Sequence, residues 1–352
     1  MNPRLIILAD DLTGAADSAV PFATRGLRTS VVLSPEAASD AEIVARDTET
    51  RAMSLPRAVE ETTRIVESLP SEVPVFKKID SMLRGYVGPE CAVTLAAYRK
   101  RQPQARLLIA PAFPLMGRVT RDGIQFVHGK PVGHVPTILE RAGLRTAVVM
   151  PHGSWPEDAD AWVCDAESGE DLRWIVAASS QHPAVLMVGT AGLACILAEQ
   201  FPIAPCDAIP RPRGSLLFVV GSVSALARAQ VDALSLDVRR AAPSAIPALD
   251  GSTDAVVCTP SAEGRELDAL VSRTLARQLT PILSRYSALF LTGGSTARAV
   301  LDTIGVKELL LLGELEPGVP VSVTNSGLLI VTKAGAFGDA ETLERSRRTL
   351  KL

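Results

Sequence analysis

The chain has 352 residues, 47% of them hydrophobic and 21% charged, a composition that excludes a disordered or fibrous protein and predicts about two domains. There are 36 lysines and arginines against 39 aspartates and glutamates, and the resulting net charge of −3 predicts no affinity for nucleic acid or an anionic membrane. The five cysteines are widely spaced without a C-x-x-C pair, which argues against disulfides and a structural zinc site. Because the sequence has no signal-peptide pattern and no apolar run of about 18 residues, we expect a soluble, cytoplasmic protein.

Short apolar runs alternate with longer helical patterns, which predicts an α/β fold around a mostly parallel sheet. In the first part of the chain, strands are predicted at residues 5–9, 30–33, 75–79, 107–110, 146–149 and 185–188. Helices are predicted to begin at Gly14, Leu55, Pro89, Gly169 and Thr190.

Segment 202–213 contains four prolines and no periodicity, which is typical of a linker between domains. After it, strands are predicted at residues 216–220, 255–258, 289–292, 321–323 and 328–332. Helices are predicted at residues 225–234, 264–284, 296–304 and 339–347. The sequence therefore predicts two α/β domains, residues 1–201 and 214–352, each with a mostly parallel sheet flanked by helices and with a ligand cleft between them.

In open α/β sheets, ligands bind beyond the carboxyl ends of the strands. The first predicted strand is followed by Asp10 and Asp11, then by Thr13, the expected helix N-cap, and by Gly14, which permits close backbone approach. A helix-capping acid pair explains this pattern equally well.

The segment 75–85 carries the densest group of polar residues. Since side chains alternate along a strand, Lys78 and Asp80 are expected on one face, with Ser81 and Arg84 close behind. The cations suit a substrate carboxylate and the aspartate suits a hydroxyl, so the segment favours binding of an anionic polyol. A surface salt-bridge cluster is the competing interpretation.

Two further cations lie near predicted turns. Arg51 stands alone in the sequence, and Arg118 lies in the long, proline-rich segment 110–123. Long ordered loops at such positions often carry function, so Arg118 is a candidate substrate contact.

The second half has three glycine turns, at residues 221–224, 293–296 and 335–338. Glycine lets a backbone approach phosphate oxygens, and helix N-termini present unpaired N–H groups. Three such turns together favour a nucleotide-phosphate site. Neither G-x-x-x-x-G-K-[ST] nor G-x-G-x-x-G occurs, which argues against a P-loop and against a Rossmann dinucleotide site.

Six motifs resemble, in order and spacing, those of the four-carbon acid sugar kinases, a family that includes 3-oxo-tetronate, D-threonate and D-erythronate kinases. They are DDLTGA (10–15), KKIDSMLRG (77–85), APAFPLMGRVTRDG (110–123), GSVS (221–224), TGGSTA (292–297) and KAGAFG (333–338). The resemblance implies an N-terminal acid-sugar-binding domain, a C-terminal ATP-binding domain and transfer of the γ-phosphoryl group of ATP to the terminal hydroxyl of a sugar acid.

The resemblance also implies site residues. Those implied to contact the sugar acid are Asp11, Arg51, Lys77, Lys78, Ile79, Asp80 and Ser81. Those implied to contact ATP are Ser222 or Ser224, Gly293, Gly294, Ser295, Thr296 and Gly335. The chain departs from the family pattern at Met82, Ser295 and Ala334.

Within this set, we expect Arg51, Lys78 and Arg84 to anchor the carboxylate and hydroxyls of the substrate. Asp80 or Asp11 is expected to orient or deprotonate the accepting hydroxyl, and the sequence leaves open which of them is the base. Mg²⁺ is expected to arrive with ATP, held by phosphates and water, so no protein metal site is predicted.

The expected partners are a small-molecule sugar acid and ATP, without nucleic acid or membrane. The sequence allows a homo-oligomer and does not specify the sugar acid or its stereochemistry. The departures at Ser295 and Ala334 keep an alternative open, a non-catalytic sugar-acid- and nucleotide-binding regulatory protein on the same fold. An NAD-linked dehydrogenase is disfavoured by the missing G-x-G-x-x-G motif.

Overall fold

The computed structural model describes residues 2–34, 37–182, 184–206, 208–236, 238–240, 249–259 and 269–351. Within those ranges, no helix combines the length and the apolar character that a membrane span needs.

The strands of the N-terminal half are β1 (Leu5–Ala9), β2 (Thr29–Val32), β3 (Ile43–Asp47), β4 (Val75–Lys78), β5 (Arg106–Ala110), β6 (Arg118–Arg121), β7 (Ile124–Val127), β8 (Lys130–His134), β9 (Thr146–Val149), β10 (Ala161–Cys164) and β11 (Val185–Gly189). Its helices are α1 (Leu12–Ala23), α2 (Leu55–Ser68), α3 (Val87–Arg99), α4 (Val135–Glu140), α5 (Gly169–Ser179) and α6 (Ala191–Ala198).

The strands of the C-terminal half are β12 (Leu216–Val220), β13 (Val238–Arg240), β14 (Ala255–Cys258), β15 (Ala288–Thr292), β16 (Glu308–Glu314), β17 (Pro320–Val323) and β18 (Leu329–Lys333). Its helices are α7 (Ala225–Asp232), α8 (Ala269–Leu283), α9 (Gly294–Thr303) and α10 (Thr342–Lys351). The first residues of the helix predicted over 264–284 lie outside the described residues, and its remainder corresponds to α8.

Fifteen strands of the described chain form one sheet in the order β13-β14-β12-β15-β18-β17-β16-β2-β3-β1-β4-β11-β5-β10-β9. Neighbours are parallel except where β16 or β17 takes part. Helices flank the sheet, so its central strands are buried on both faces, as the runs LIILA of β1 and LLFVV of β12 require. The predicted α/β class with mostly parallel sheets is confirmed, and the sheets of the two halves join through antiparallel pairing of β16 with β2.

Sequence reasoning missed several elements. It missed β3, β10 and β16, the last because its alternating burial differs from the continuous apolar runs used to find parallel strands. It also missed the hairpins β6-β7-β8, a separate antiparallel sheet within the segment 118–134. The described residues of the proline-rich segment 202–213 form no helix or strand, and the division into two domains there stays a prediction.

A buried ion pair ties the two halves together beside the shared sheet. Arg298 on α9 donates to Asp47 Oδ2 at the end of β3 (2.8 Å) and to the Leu33 carbonyl (2.6 Å). The side chain of Asp47 is fully buried. Burial, opposed by Arg298, raises the pKa of Asp47 to about 7.

Replacing Arg298 by Ala is expected to lower the free energy of unfolding by about 3 kcal/mol, because Asp47 would be left buried without its cation. A carboxyl whose pKa is higher in the folded than in the unfolded chain lowers stability as pH rises through the interval between the two values. In the wild type that interval runs from about 4, the ordinary aspartate value, to about 7. Loss of Arg298 would raise the folded value further, so the deficit of the variant should grow above neutral pH.

Chemical unfolding of R298A between about pH 5 and pH 9 measures this deficit. The matched control is R173A, which removes an exposed ion pair with Glu199 and should cost no more than about 1 kcal/mol. Equal, pH-independent losses in the two variants would contradict a buried pair at the junction.

Candidate active site

The carboxyl ends of three neighbouring parallel strands create the first part of the site. Since β1 pairs with β3 on one side and with β4 on the other, the residues that follow these strands meet. Asp10 and Asp11 follow β1, and Asp80 follows β4. The turn after β3 is a 3-10 helix (Thr50–Ala52) that carries Arg51, so the fold brings this isolated cation to the acids.

Arg51 lies among three carboxylates. Its guanidinium donates to both oxygens of Asp10 (2.7 and 2.9 Å) and to Asp11 Oδ2 (2.9 Å). A further oxygen, Asp80 Oδ1, lies 3.4 Å from Arg51 Nη1. We call Arg51 with Asp10, Asp11 and Asp80 the acid cluster. Arg51 is thus the residue that allows three acids to be close together, and its own donors are used within the protein.

Asp11 also begins helix α1. Its Oδ1 accepts from the Gly14 amide (3.0 Å) and its Oδ2 accepts from the Thr13 hydroxyl (2.9 Å). The N-cap is therefore Asp11, and the prediction that Thr13 fills this position was wrong. The helix starts at Leu12, two residues before the predicted start.

Asp80 is held by a second arginine. Arg84 donates to Oδ2 (3.0 Å) and Oδ1 (2.8 Å), a bidentate pair, and the Met82 amide donates to Oδ2 (2.9 Å). Burial would raise the pKa of Asp80, but the hydrogen bonds from Arg84 and the charges of Arg51, Arg84 and Lys78 outweigh it and hold the pKa well below its usual range. At Met82, where the chain departs from the family pattern, the contact uses the backbone.

The two adjacent lysines of β4 point to opposite faces of the sheet. Lys77 is buried against Glu90 of α3, with its Nζ 2.6 Å from Oε2. Lys78 reaches the acid cluster, since a Cβ on Gly14 would lie 2.9 Å from its Nζ. Within the described chain, no group is hydrogen-bonded to the Lys78 ammonium. Both lysines are buried, and of the two only Lys78 has an ammonium group without a hydrogen-bond partner in the described chain.

Two other predicted contacts can be placed. Ile79 is buried in the core, so a ligand can meet its backbone alone. Ser81 accepts a hydrogen bond from Arg118, which lies on β6 rather than in a loop. Arg118 Nε is buried without a hydrogen-bond partner in the described residues, and the guanidinium carbon lies 4.6 Å from the ring centre of Phe337. Arg118 therefore joins the acid side of the site to the KAGAFG loop.

In the C-terminal half, the first and third glycine turns are joined by a hydrogen bond and by close packing. Ser224 is the N-cap of α7, accepts from the Ala227 amide (3.1 Å) and donates to the Gly335 carbonyl (2.9 Å). Ser222 donates to Ser224 (3.2 Å), and a Cβ on Gly335 would overlap the Ser222 hydroxyl. This close approach requires glycine, the residue whose backbone can also approach phosphate oxygens closely.

The second glycine turn begins helix α9. Gly293 has a φ of +98°, and Gly294 follows as the first helical residue. Ser295 is exposed in the first turn, whereas the Thr296 hydroxyl is turned inward beneath Gly221. Thr296 is therefore available to a ligand through its backbone N–H, while Ser295 also offers its hydroxyl.

The acid cluster lies beside the second glycine turn, at the start of α9. A Cβ on Gly294 would lie 3.0 Å from Asp11 Oδ2 and 3.3 Å from the Thr13 hydroxyl. The unpaired N–H groups at the start of α9, which favour anions, therefore lie beside the residues predicted to bind a sugar acid.

Sequence reasoning missed two ionisable residues at this junction, Asp17 of α1 and Lys333 at the end of β18. Both line a narrow gap with Thr13 and Phe337. Lys333 donates to the carbonyls of Ala334 (2.8 Å) and Phe337 (3.0 Å), and burial lowers its pKa to about 8. Asp17 lies four residues after Thr13, the spacing that places two side chains on one helix face, so the sequence contained the signal.

Comparison with known proteins gives two domain matches. Residues 5–138 match a family described as a sugar-binding N-terminal domain, and residues 217–343 match a nucleotide-binding C-terminal domain. A D-threonate kinase of Cupriavidus necator is 32% identical, with 96% of each chain covered. A 3-oxo-tetronate kinase of Pseudomonas fluorescens is 27% identical, with 98% of this chain and 97% of the relative covered.

Solved structures agree with the fold. A Salmonella typhimurium protein matches with a TM-score of 0.77 at 19% identity over 98% of this chain and 99% of its own, a likeness of fold alone. A Bordetella bronchiseptica protein, crystallised with bound citrate as a domain-swapped dimer, matches with a TM-score of 0.50 at 26% identity over 99% of each chain.

The adjacent lysines of β4 provide a matched pair of variants. Lys77→Met should lower the free energy of unfolding by about 3–5 kcal/mol, because it leaves Glu90 buried without its cation. Lys78→Met removes a cation without an ion-paired partner and should change stability far less. Urea unfolding of the two variants measures the difference, and equal losses would contradict the opposite orientation of the lysines.

Gly335→Ala should raise the KM for the nucleotide at least tenfold, because the added methyl group overlaps Ser222 and displaces the KAGAFG loop. The control is Gly169→Ala at the start of α5, where the nearest atom to the new methyl group would be 3.8 Å away. Initial rates with each substrate varied in turn test this. A larger effect on the KM for the acid than for the nucleotide would refute the assignment of this loop.

Proposed function

Since the chain belongs to the four-carbon acid sugar kinase family, we propose that it transfers the γ-phosphoryl group of ATP to the terminal hydroxyl of a four-carbon sugar acid, such as a tetronate or a 3-oxo-tetronate. As a member it is a phosphotransferase that acts on a hydroxyl group of a sugar acid. The observation that carries the proposal is the contact of the two halves at Gly294 and Asp11, which puts a helix N-terminus suited to phosphate beside a cluster suited to a polyol.

On the acid side, we propose that cationic groups bind the substrate carboxylate and that oxygen atoms of other side chains bind its hydroxyls. Lys78 has no ion-paired partner in the described chain and Arg118 has a buried unpaired Nε, so these two are the proposed anchors of the substrate carboxylate. Asp11, Asp80 and Ser81 supply oxygens for the hydroxyls of the substrate. Arg51 acts mainly by orienting these acids.

On the nucleotide side, the proposed contacts are the turns at Ser222–Ser224, Gly293–Thr296 and Gly335. Phosphoryl transfer requires mainly positioning and charge neutralisation, which backbone N–H groups and a helix N-terminus supply. Among the residues described, no group of three or more His, Cys, Asp or Glu side chains has a metal-binding arrangement. We propose that Mg²⁺ enters with ATP, coordinated by phosphate oxygens and water.

The names of the relatives limit the class of substrate that we propose for this chain. They are named as kinases of D-threonate, D-erythronate and 3-oxo-tetronate, all four-carbon acids. The citrate in the Bordetella structure is also a hydroxylated carboxylate, and the dimer described there supports a homo-oligomer as the proposed assembly.

A panel of four-carbon acids with ATP in a coupled ADP assay tests the kinase proposal. We expect turnover of at least one tetronate or 3-oxo-tetronate, with a phosphorylated product detected by mass spectrometry. If acid and ATP each raise the melting temperature but no ADP forms, the regulatory alternative motivated by Ser295 and Ala334 is correct. The structure favours activity, since Ala334 contributes its backbone carbonyl to Lys333 and needs no side chain for that contact.

Lys78→Met should raise the KM for the sugar acid by about 10- to 100-fold, as expected for loss of one charged anchor, and leave the KM for ATP within about twofold. The control is Lys100→Met, which removes an exposed lysine paired with Glu67. Steady-state kinetics with the acid found in the panel provides the measurement. An unchanged KM for the acid would remove Lys78 from the site.

A further inference from the structure

Resting on the proposed function, we propose that Asp17 is the general base of the reaction, the carboxylate that accepts the proton of the acceptor hydroxyl. This differs from the sequence-based prediction, which named Asp80 or Asp11.

Position is the first argument. Thr13 and Asp17 form one wall of the gap between the halves, and Lys333, Ala334 and Phe337 form the other. The gap is narrow, without room for a water molecule in this structure. Asp17 is therefore the acid of α1 that faces the nucleotide loop directly.

The neighbours of Asp17 on the acid side are the second argument. The charges of Lys78 and Arg118, the proposed anchors of the substrate carboxylate, both act on Asp17. A four-carbon acid held at one end by these cations extends only a few bonds to its terminal hydroxyl. The charges of the proposed anchors thus reach Asp17, which also lines the gap beside the loop proposed to bind the nucleotide.

The state of the other acids is the third argument. Both oxygens of Asp80 accept from Arg84, and both oxygens of Asp10 accept from Arg51. Asp11 caps α1 and accepts from Arg51. The oxygens of these carboxylates already accept hydrogen bonds within the protein, and the pKa of Asp80 is held well below its usual range by Arg84 and Arg51. Asp17 is half-buried, and no group of the described chain is hydrogen-bonded to its carboxylate.

The groups that face Asp17 come from five other elements and from its own helix: Lys78 (β4), Arg118 (β6), Cys195 (α6), Glu314 (β16), Lys333 (β18) and Asp11 at the start of α1. Burial has the largest influence on the pKa of Asp17 and raises it. The charges of Lys78 and Arg118 lower this pKa, those of Glu314 and Asp11 raise it, and the resulting pKa is about 7. A base is most effective when its pKa lies near the working pH, which this value satisfies.

In the transfer step, the acceptor O–H bond breaks and its proton passes to the Asp17 carboxylate. The acceptor oxygen uses its electron pair to form the new bond to the γ-phosphorus of ATP. The bond between that phosphorus and the β–γ bridging oxygen breaks, and ADP leaves with the electron pair. The products are the phosphorylated acid, ADP and a protonated Asp17, which then releases its proton to water.

The test compares Asp17→Asn with Asp80→Asn in the full-length enzyme, using the acid found in the panel. D17N should lower kcat by about 10²- to 10⁴-fold with the KM for ATP nearly unchanged. In the wild type, kcat/KM should fall about tenfold per pH unit below about pH 7, since protonated Asp17 cannot accept a proton. This acidic limb should disappear in D17N and persist in D80N, whose main defect should be a raised KM for the acid.

Three controls make each outcome decisive. D158N, an exposed aspartate far along the chain, should behave as wild type. Melting-temperature shifts with ATP and with the acid should be retained in D17N, and Asp17→Ser serves as a second variant should D17N fold poorly. If the wild type turns over an acid and D17N or D17S stays within about threefold of it, Asp17 is not the base although the kinase proposal stands. If the wild type turns over no acid of the panel, the kinase proposal fails and the role of Asp17 fails with it.

Discussion

The guanidinium of Arg51 is the contact on which the acid side of the site depends. Three carboxylates follow two strands of a parallel sheet, and like charges about 4 Å apart repel by about 4 kcal/mol at an effective dielectric constant near 20. Arg51 offsets this repulsion with hydrogen bonds to Asp10 and Asp11 and with its charge near Asp80. These contacts hold the three carboxylates close together in an ordered arrangement.

The proposed ligand contacts of the two halves differ in kind. On the acid side they are charged side chains, whereas on the nucleotide side they are backbone groups at glycine turns and at the start of α9. At Met82 and Ala334, where the chain departs from the family pattern, the contact is made by a backbone group and does not depend on the side chain. A substitution at Lys78 or Arg118 would instead remove the chemistry itself.

The sequence predicted most strands of the parallel sheets, because a strand buried on both faces reads as a continuous apolar run, but it missed the parallel strands β3, β10 and β13. It could not predict the pairing of β16 with β2, because β16 alternates polar and apolar residues and its partner lies about 280 residues away in the chain. From alternation along β4 we predicted Lys78 and Asp80 on one face, and only the family resemblance implied Lys77, whose side chain is paired with Glu90 on the opposite face. The division into domains and the individual ligand contacts stay predictions.

The chemistry of the aspartates shows most clearly what a sequence alone leaves undecided. Asp80 and Asp17 are the same residue type in one cleft, yet their surroundings push their pKa values in opposite directions. Arg84 and Arg51 stabilise the ionised form of Asp80, while burial near Glu314 and Asp11 destabilises that of Asp17. Where the pKa values of two carboxyl groups are pushed apart in this way, the group with the lowered pKa orients the substrate. The group with a pKa near neutrality exchanges protons. Asp80 lies in the motif that follows β4, and Asp17 lies in the helix that follows β1, so the motif with the most charged residues need not contain the base.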